Sequence, residues 1–145
     1  MPYIEDFLSN NEEQEIIEAI RIAERETSGE IRVHIEQQCD VDIHERALEV
    51  FHYLKMDNTI QKNGVLLYVA VDNKAFVIFG DQGINNVVDT NFWNSTRDKI
   101  ASQFKKGQFK SGIIDGIIES GKVLSEHFPW NHGDRNELDN TISKG

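Results

Sequence analysis

Gly64-Val65-Leu66-Leu67-Tyr68-Val69-Ala70-Val71, then Asp72-Asn73, then Lys74-Ala75-Phe76-Val77-Ile78-Phe79 is the stretch that decides the fold. Branched and aromatic side chains dominate both runs, and such residues fit a pleated, half-buried surface. Asp72-Asn73 reads as a two-residue turn, which makes the two runs a β-hairpin. The first run is apolar at almost every position, so it is expected to be covered on both faces, with helices as the covering.

Working upstream, Glu30 to Glu36 alternates Ile31, Val33 and Ile35 with Arg32, His34 and Glu36, the pattern of a half-buried strand. Before it, Ser9-Asn10-Asn11-Glu12 has capping-box spacing, with Phe7 and Leu8 placed to staple the helix start. Ile16, Ile17, Ile20 and Ala23 then recur at helical spacing, and Gly29 reads as the residue that closes this helix. Asp42 with Glu45 repeats the capping spacing ahead of an apolar stripe of Ala47, Val50, Phe51 and Leu54.

Downstream, Gly80-Asp81-Gln82-Gly83 breaks the strand pattern. A helix capped at Asn91 and closed by Gly107 is expected next, and a last helix runs from about Phe109 towards Phe128, where Pro129 stops it. Gly112 and Gly116, four apart on one helical face, predict a close-packing groove. The order α-β-α-β-β-α-α predicts an α/β fold, a three-layer αβα sandwich with a small mixed central sheet. Residues 1–130 are expected to form one domain. Residues 131–145 are polar, without periodicity, and are expected to be a disordered tail.

The 145 residues carry 25 acidic and 15 basic side chains, a formal net charge of −10. That field repels nucleic acid and anionic membranes and attracts cations. Cys39 is the only cysteine, which excludes an intramolecular disulfide and a thiolate zinc cluster within one chain. The start lacks the basic and apolar regions of a signal peptide, and no segment approaches the ~18 apolar residues of a membrane span. Cytoplasmic residence is the expectation.

Two loops carry acidic side chains that no helix face explains: Glu36 to Asp42 after the first strand, and Gly80 to Asp89 after the hairpin. Both leave strand ends, where open sheets commonly place ligands. Their Asp, Asn and carbonyl oxygens suit a hard cation, calcium or magnesium. The expected ligands are Asp40, Asp42, Asp81 and Asp89, with Glu36 beside them, converging from both loops. Asp42, Asp81 and Asp89 also fit helix-cap or turn roles.

An EF-hand starting at Asp40 fails, because Glu45 stands where a glycine is needed and Phe51 where a glutamate is needed. His34, Cys39 and His44 supply zinc donors at a spacing that matches no closed zinc motif. Asp40 and Asp42 would raise the thiol pKa of Cys39, the wrong direction for a nucleophile. Neither a G-x-S-x-G nor a P-loop is present.

Ser28-Gly29-Glu30-Ile31-Arg32-Val33, Asn63-Gly64-Val65-Leu66-Leu67-Tyr68-Val69-Ala70, Phe79-Gly80-Asp81-Gln82-Gly83-Ile84 and Gly107-Gln108-Phe109-Lys110-Ser111-Gly112-Ile113 resemble successive landmarks of the TPM-domain family. That family is named for a thylakoid lumen protein, a photosystem II repair protein and a nematode receptor modulator. The resemblance spans Phe7 to Phe128 and implies an αβα sandwich, a calcium-type site at loops near the sheet end, and an acid phosphatase activity described for some plant members. The family's glycine-rich acidic loop falls on Gly80 through Asn85, with Gly83 the best match. Two glutamates common there fall on Phe79 and Asn85, and Asp89 lies near the family's following aspartate. Asp81 then becomes the local substitute, and transfer of phosphatase activity is weakened. Family members are often exported or membrane-anchored; this chain reads as a stand-alone cytoplasmic version.

The function expected is a divalent-cation-binding domain whose loops the metal stabilises, acting as a regulatory or interaction module towards a protein partner, with no nucleic acid or membrane partner. A metal-assisted acid phosphatase using the same carboxylates is the alternative. Phosphoryl transfer needs a cationic clamp. Neither loop contains Arg or Lys; Arg46 and Lys74 are only nearby in sequence.

Overall fold

A computed structural model of the chain describes residues 7–59, 61–88, 91–129 and 142–144. The elements are α1 (Asn10–Glu24), β1 (Glu30–Glu36), α2 (Ile43–Tyr53), β2 (Gly64–Ala70), β3 (Ala75–Gly80), the single turn α3 (Gln82–Asn85), α4 (Asn94–Lys105), α5 (Phe109–His127) and β4 (Ser143–Lys144). The sheet order is β3-β2-β1-β4, with β1 parallel to β2 and to β4, and β2 antiparallel to β3. This is a mixed sheet in an α/β fold.

Alternation along the strands sorts the side chains into two cores. Ile31, Val33 and Ile35 of β1 and Val65, Leu67 and Val69 of β2 face α1 and α5, joined by Ile16, Ile20, Ile100, Ile113 and Ile117. Leu66, Tyr68 and Ala70 face the other way, onto Ala47, Val50 and Phe51 of α2. Among the described residues one helix covers that second face, so the two described helical layers are unequal.

The helix starts follow their caps. Ser9 and Glu12 form the reciprocal capping box, and Asp42 Oδ1 accepts from the backbone N–H groups of His44 (2.9 Å) and Glu45 (3.1 Å). Each such cap stabilises by ~1 kcal/mol. Other expectations are corrected. Gly29 lies past the helix end at Arg25, and the place of its missing side chain is taken by Leu124, 2.8 Å from where a Cβ would stand. Asp72-Asn73 is not a two-residue turn: Ala70 pairs with Ala75 across a four-residue connection, and Lys74 takes the left-handed backbone (φ 52°). The helix expected to be capped at Asn91 starts at Asn94, without a side-chain cap.

Gly112 and Gly116 do form a packing groove. A Cβ there would lie 2.7 Å from Phe104 and 2.8 Å from Ile100, both on α4. Within the segment read as a disordered tail, Ser143 and Lys144 pair with His34 and Ile35 of β1, and Ile142 packs against the core; residues 131–141 and 145 lie outside the described residues. Among the described residues no helix is long and apolar enough to cross a membrane.

Candidate functional site

β1 presents four polar side chains to the α2 side of the sheet: Glu30, Arg32, His34 and Glu36. The half-burial read from the alternation holds only in part, because Glu30, His34 and Glu36 are buried. Glu36, at the strand end, explains how. Arg46, one turn into α2, places its guanidinium on both carboxylate oxygens, with Nε at 3.1 and 3.0 Å and a second nitrogen on Oε1. Tyr68 from β2 donates its hydroxyl to Oε2 at 2.5 Å, and His34 Nε2 lies 3.1 Å from Oε1.

Burial pushes the Glu36 carboxyl up, but its bonds with Arg46, Tyr68 and His34 outweigh this and bring its pKa down to about 2. Burial holds the His34 pKa below its ordinary value despite the neighbouring Glu36, so the ring is neutral at pH 7. Its Nδ1 is 2.9 Å from Ser143 Oγ. A Ser143–His34–Glu36 row has the residue types of a nucleophilic triad. Here, however, the carboxylate is already matched by Arg46 and Tyr68. What the arrangement does is tie β1, β2, α2 and β4 together.

The rest of the first loop is held from the hairpin side. Asn73 accepts the Cys39 N–H (2.9 Å) and donates to the Cys39 carbonyl (2.8 Å), while Gln37 donates to Asp72 (2.6 Å). Asp40 is exposed, with Gln38 Nε2 at 3.5 Å, and Asp42 spends one oxygen on its helix cap. Glu36 is removed from the expected ligand set: both of its oxygens are occupied, and a guanidinium stands where a cation would approach. The zinc donors also part company. Cys39 Sγ donates to the Val41 carbonyl, and among the described residues no three His, Cys, Asp or Glu side chains gather around a metal-sized space.

The second loop is at the other end of the sheet. Glu36 is in register with Ala70, and Ala70 with Ala75; Gly80, next to Asp81, is in register with Val65, and Val65 with Ile31. Ala75 and Gly80 are five residue steps apart along β3, about 17 Å. The antiparallel return of β3 is the physical reason. Asp40 and Asp42 therefore do not share an ion with Asp81, whose ligand shell would need oxygens within about 2.6 Å. Asp89 lies outside the described residues.

Around Asp81 the chain is packed backbone to backbone. Asp81 N–H donates to the Gly64 carbonyl (2.9 Å) and Gly83 N–H to the Lys62 carbonyl (2.8 Å). A side chain on Gly83 would overlap the Gln61 carbonyl oxygen, which is why the loop reads Gly-Asp-Gln-Gly. Asp81 Oδ1 accepts from the Gln82 N–H at 2.7 Å. Its Oδ2 is buried and has no hydrogen-bond partner among the described residues, and the same holds for Asn63 Oδ1 and Thr59 Oγ1. Asn63 and Thr59 are themselves buried, in the segment that leads into β2.

A TPM domain model matches residues 4–123. The chain belongs to the TPM domain family. BA42 protein from the psychrophilic bacterium Bizionia argentinensis, solved by NMR, is 56% identical over 100% of both chains, with a TM-score of 0.93. The N-terminal domain of a P. gingivalis protein is 22% identical, covering 87% of this chain and 83% of that one, with a TM-score of 0.69. That of the cg2496 protein from Corynebacterium glutamicum is 12% identical over 81% and 74%, with a TM-score of 0.64. The last two share the fold. No curated protein matches the chain.

The residues that sequence reasoning missed in this TPM domain are Arg46, Tyr68, Asn63 and Thr59. An unbroken polar register at Glu30, Arg32, His34 and Glu36 on a strand next to an apolar one was the available signal for the first two.

Proposed function

We propose that this TPM domain binds a hard divalent cation, calcium or magnesium, at the Asp81 end of the sheet, with Asp81 as the charged ligand and Asn63 and Thr59 as neutral oxygen donors. One observation carries the reading: Asp81 Oδ2 and Asn63 Oδ1, on either side of the Gly64–Gly80 end of the sheet, are buried oxygens without partners among the described residues, as is Thr59 Oγ1 four residues upstream of Asn63. A buried acceptor without a partner costs about 1–3 kcal/mol, and more when charged, which a bound cation relieves. The net charge of −10 draws cations towards any such site. Ligand charge sets affinity in oxygen sites, so one carboxylate implies weak binding, on the order of 10⁻⁴–10⁻³ M. Stiffening of the 61–64 and 80–83 segments is how binding of the ion would be conveyed to a protein partner.

Calcium is expected to raise the melting temperature of chelator-treated protein. Linkage gives about 2.7 kcal/mol at calcium a hundredfold above the dissociation constant. Asp81→Asn should weaken the effect and Asp81→Ala should weaken it further, while Asp40→Asn at the opposite end should leave it intact. A melting curve indifferent to calcium at about 10–100 mM, a hundredfold above those dissociation constants, sinks the reading.

Phosphomonoester hydrolysis ranks second, because Arg46, the guanidinium beside the first loop, is engaged by Glu36 at the far end of the sheet from Asp81. Aryl phosphate turnover that follows the protein through two columns and vanishes in Asp81→Asn would reverse that order.

A further inference from the structure

We propose a second binding site, independent of the cation reading: an apolar groove that takes the tail of an aliphatic carboxylate and pairs its head group with Lys74 and Lys105. The groove has a volume of about 530 Å³ and lies where β2 turns into β3, on the side of the sheet facing α4 and α5. Small-molecule pockets run to about 300–1,000 Å³, so it is large enough for an amphiphile.

Four phenylalanines from separate parts of the chain wall it in a continuous series of ring contacts. Phe76 of β3 touches Phe104 of α4 (centroids 5.3 Å apart), Phe104 touches Phe109 of α5 (5.4 Å), and Phe109 touches Phe7 (4.4 Å). None of the four is fully buried. Half-buried rings gathered round one concavity form a contiguous apolar patch, which marks a binding surface, whereas scattered exposed apolar residues do not.

Charge selects the head group. In a chain of net charge −10, the charged side chains among the described residues that line this groove are Lys74 and Lys105, and none of those described is a carboxylate. Among the described residues the lysine side chains ion-paired to carboxylates are Lys99, Lys110, Lys122 and Lys144. Among the described residues Lys74 and Lys105 thus have no carboxylate partner, and they line an apolar space where a carboxylate would satisfy them and a cationic head would be repelled. The adjacent α5 begins without a side-chain cap and without an acidic residue in its first turn, so its free N–H groups favour the same sign.

The test is a titration of the full chain with sodium decanoate, below its micellar concentration and in calcium-free buffer, followed by amide chemical shifts. Decyltrimethylammonium and 1-decanol are the head-group arms. Saturable decanoate shifts around Val71, Ala75 and Phe104 are expected, with the other two amphiphiles binding at least tenfold more weakly. Lys74→Asn, which suits the left-handed backbone there, combined with Lys105→Gln should weaken decanoate about tenfold, through two partly screened charge contacts. Ala101→Trp, which fills the groove from α4, should abolish the shifts. The proposal is overturned by the absence of saturable shifts, by shifts that map outside the groove, or by equal affinity for the cationic amphiphile. Because calcium is absent throughout, failure here says nothing about Asp81.

Discussion

Replacing Gly83 with alanine is expected to cost more than 4 kcal/mol, most of the stability of a domain at the lower end of the usual range of about 5–15 kcal/mol. The reason is contact with rigid backbone. A Cβ on Gly83 would overlap the Gln61 carbonyl oxygen and lie 2.5 Å from that of Lys62. Flexible side-chain ends can move aside; two consecutive carbonyls in a segment leading into β2 cannot do so without breaking the 2.8 Å bond from the Gly83 N–H to the Lys62 carbonyl. Ile84, buried one residue further on, anchors α3 and leaves it little freedom to lift away. Gly107→Ala is the comparison. Gly107 has φ 75° with open space around it, so alanine there pays only the left-handed backbone strain, about 1–2 kcal/mol. Urea unfolding of both variants decides the matter: equal losses would mean that the 80–83 loop yields to the 61–62 segment and that close packing does not explain the motif.

Arg46→Met should destabilise the protein by about 2–3 kcal/mol at pH 7. Removing one partner of a fully buried ion pair costs about 3–5 kcal/mol, and the Arg46 side chain is 35% exposed, so solvent screening reduces the figure. The sign of the pH dependence separates charge from packing. Glu36 has a folded pKa of about 2 against an ordinary 4.5, so its contribution is complete above 4.5 and is lost as pH falls towards 2. His34 acts in the same direction: with its folded pKa held down by burial, stability declines as pH drops below its ordinary 6.5. The gap between wild type and Arg46→Met should therefore shrink as pH falls from 4.5 towards 2. Glu36→Gln combined with Arg46→Met should cost less than Arg46→Met alone, since no unpaired charge is then left buried. A gap that persists unchanged at pH 3 would show that Arg46 acts by packing its aliphatic stem.

Local chemistry was legible in the sequence wherever one residue satisfies its own neighbourhood. Ser9 and Glu12 cap α1, Asp42 caps α2, and the all-apolar run at 65–71 is covered on both faces. Errors arose where a distant segment sets the outcome. Gly29 is glycine because of Leu124, and Gly83 because of Gln61 and Lys62. The four-residue turn at 71–74 follows from Asn73 reaching across to Cys39. Convergence of the two acidic loops was the largest misjudgement, although its correction lay within the same elements. A strand-helix-strand unit such as β1-α2-β2 makes its strands parallel, and the hairpin then carries β3 back to the start of both. Asp40 and Asp81 are separated by that path, whatever their charges favour.

The return of β3 also has a thermodynamic consequence. The Glu36–Arg46 pair and the Asp81 loop share no side chain and stand farther apart than the 7–10 Å over which mutational effects usually couple. Their free energies should then be separable: the losses in Asp81→Ala and Arg46→Met should sum in the double variant to within about 0.5 kcal/mol. A sheet that holds its two ends this far apart lets each accept substitutions without disturbing the other. Divergence at one pole carries no penalty at the opposite pole.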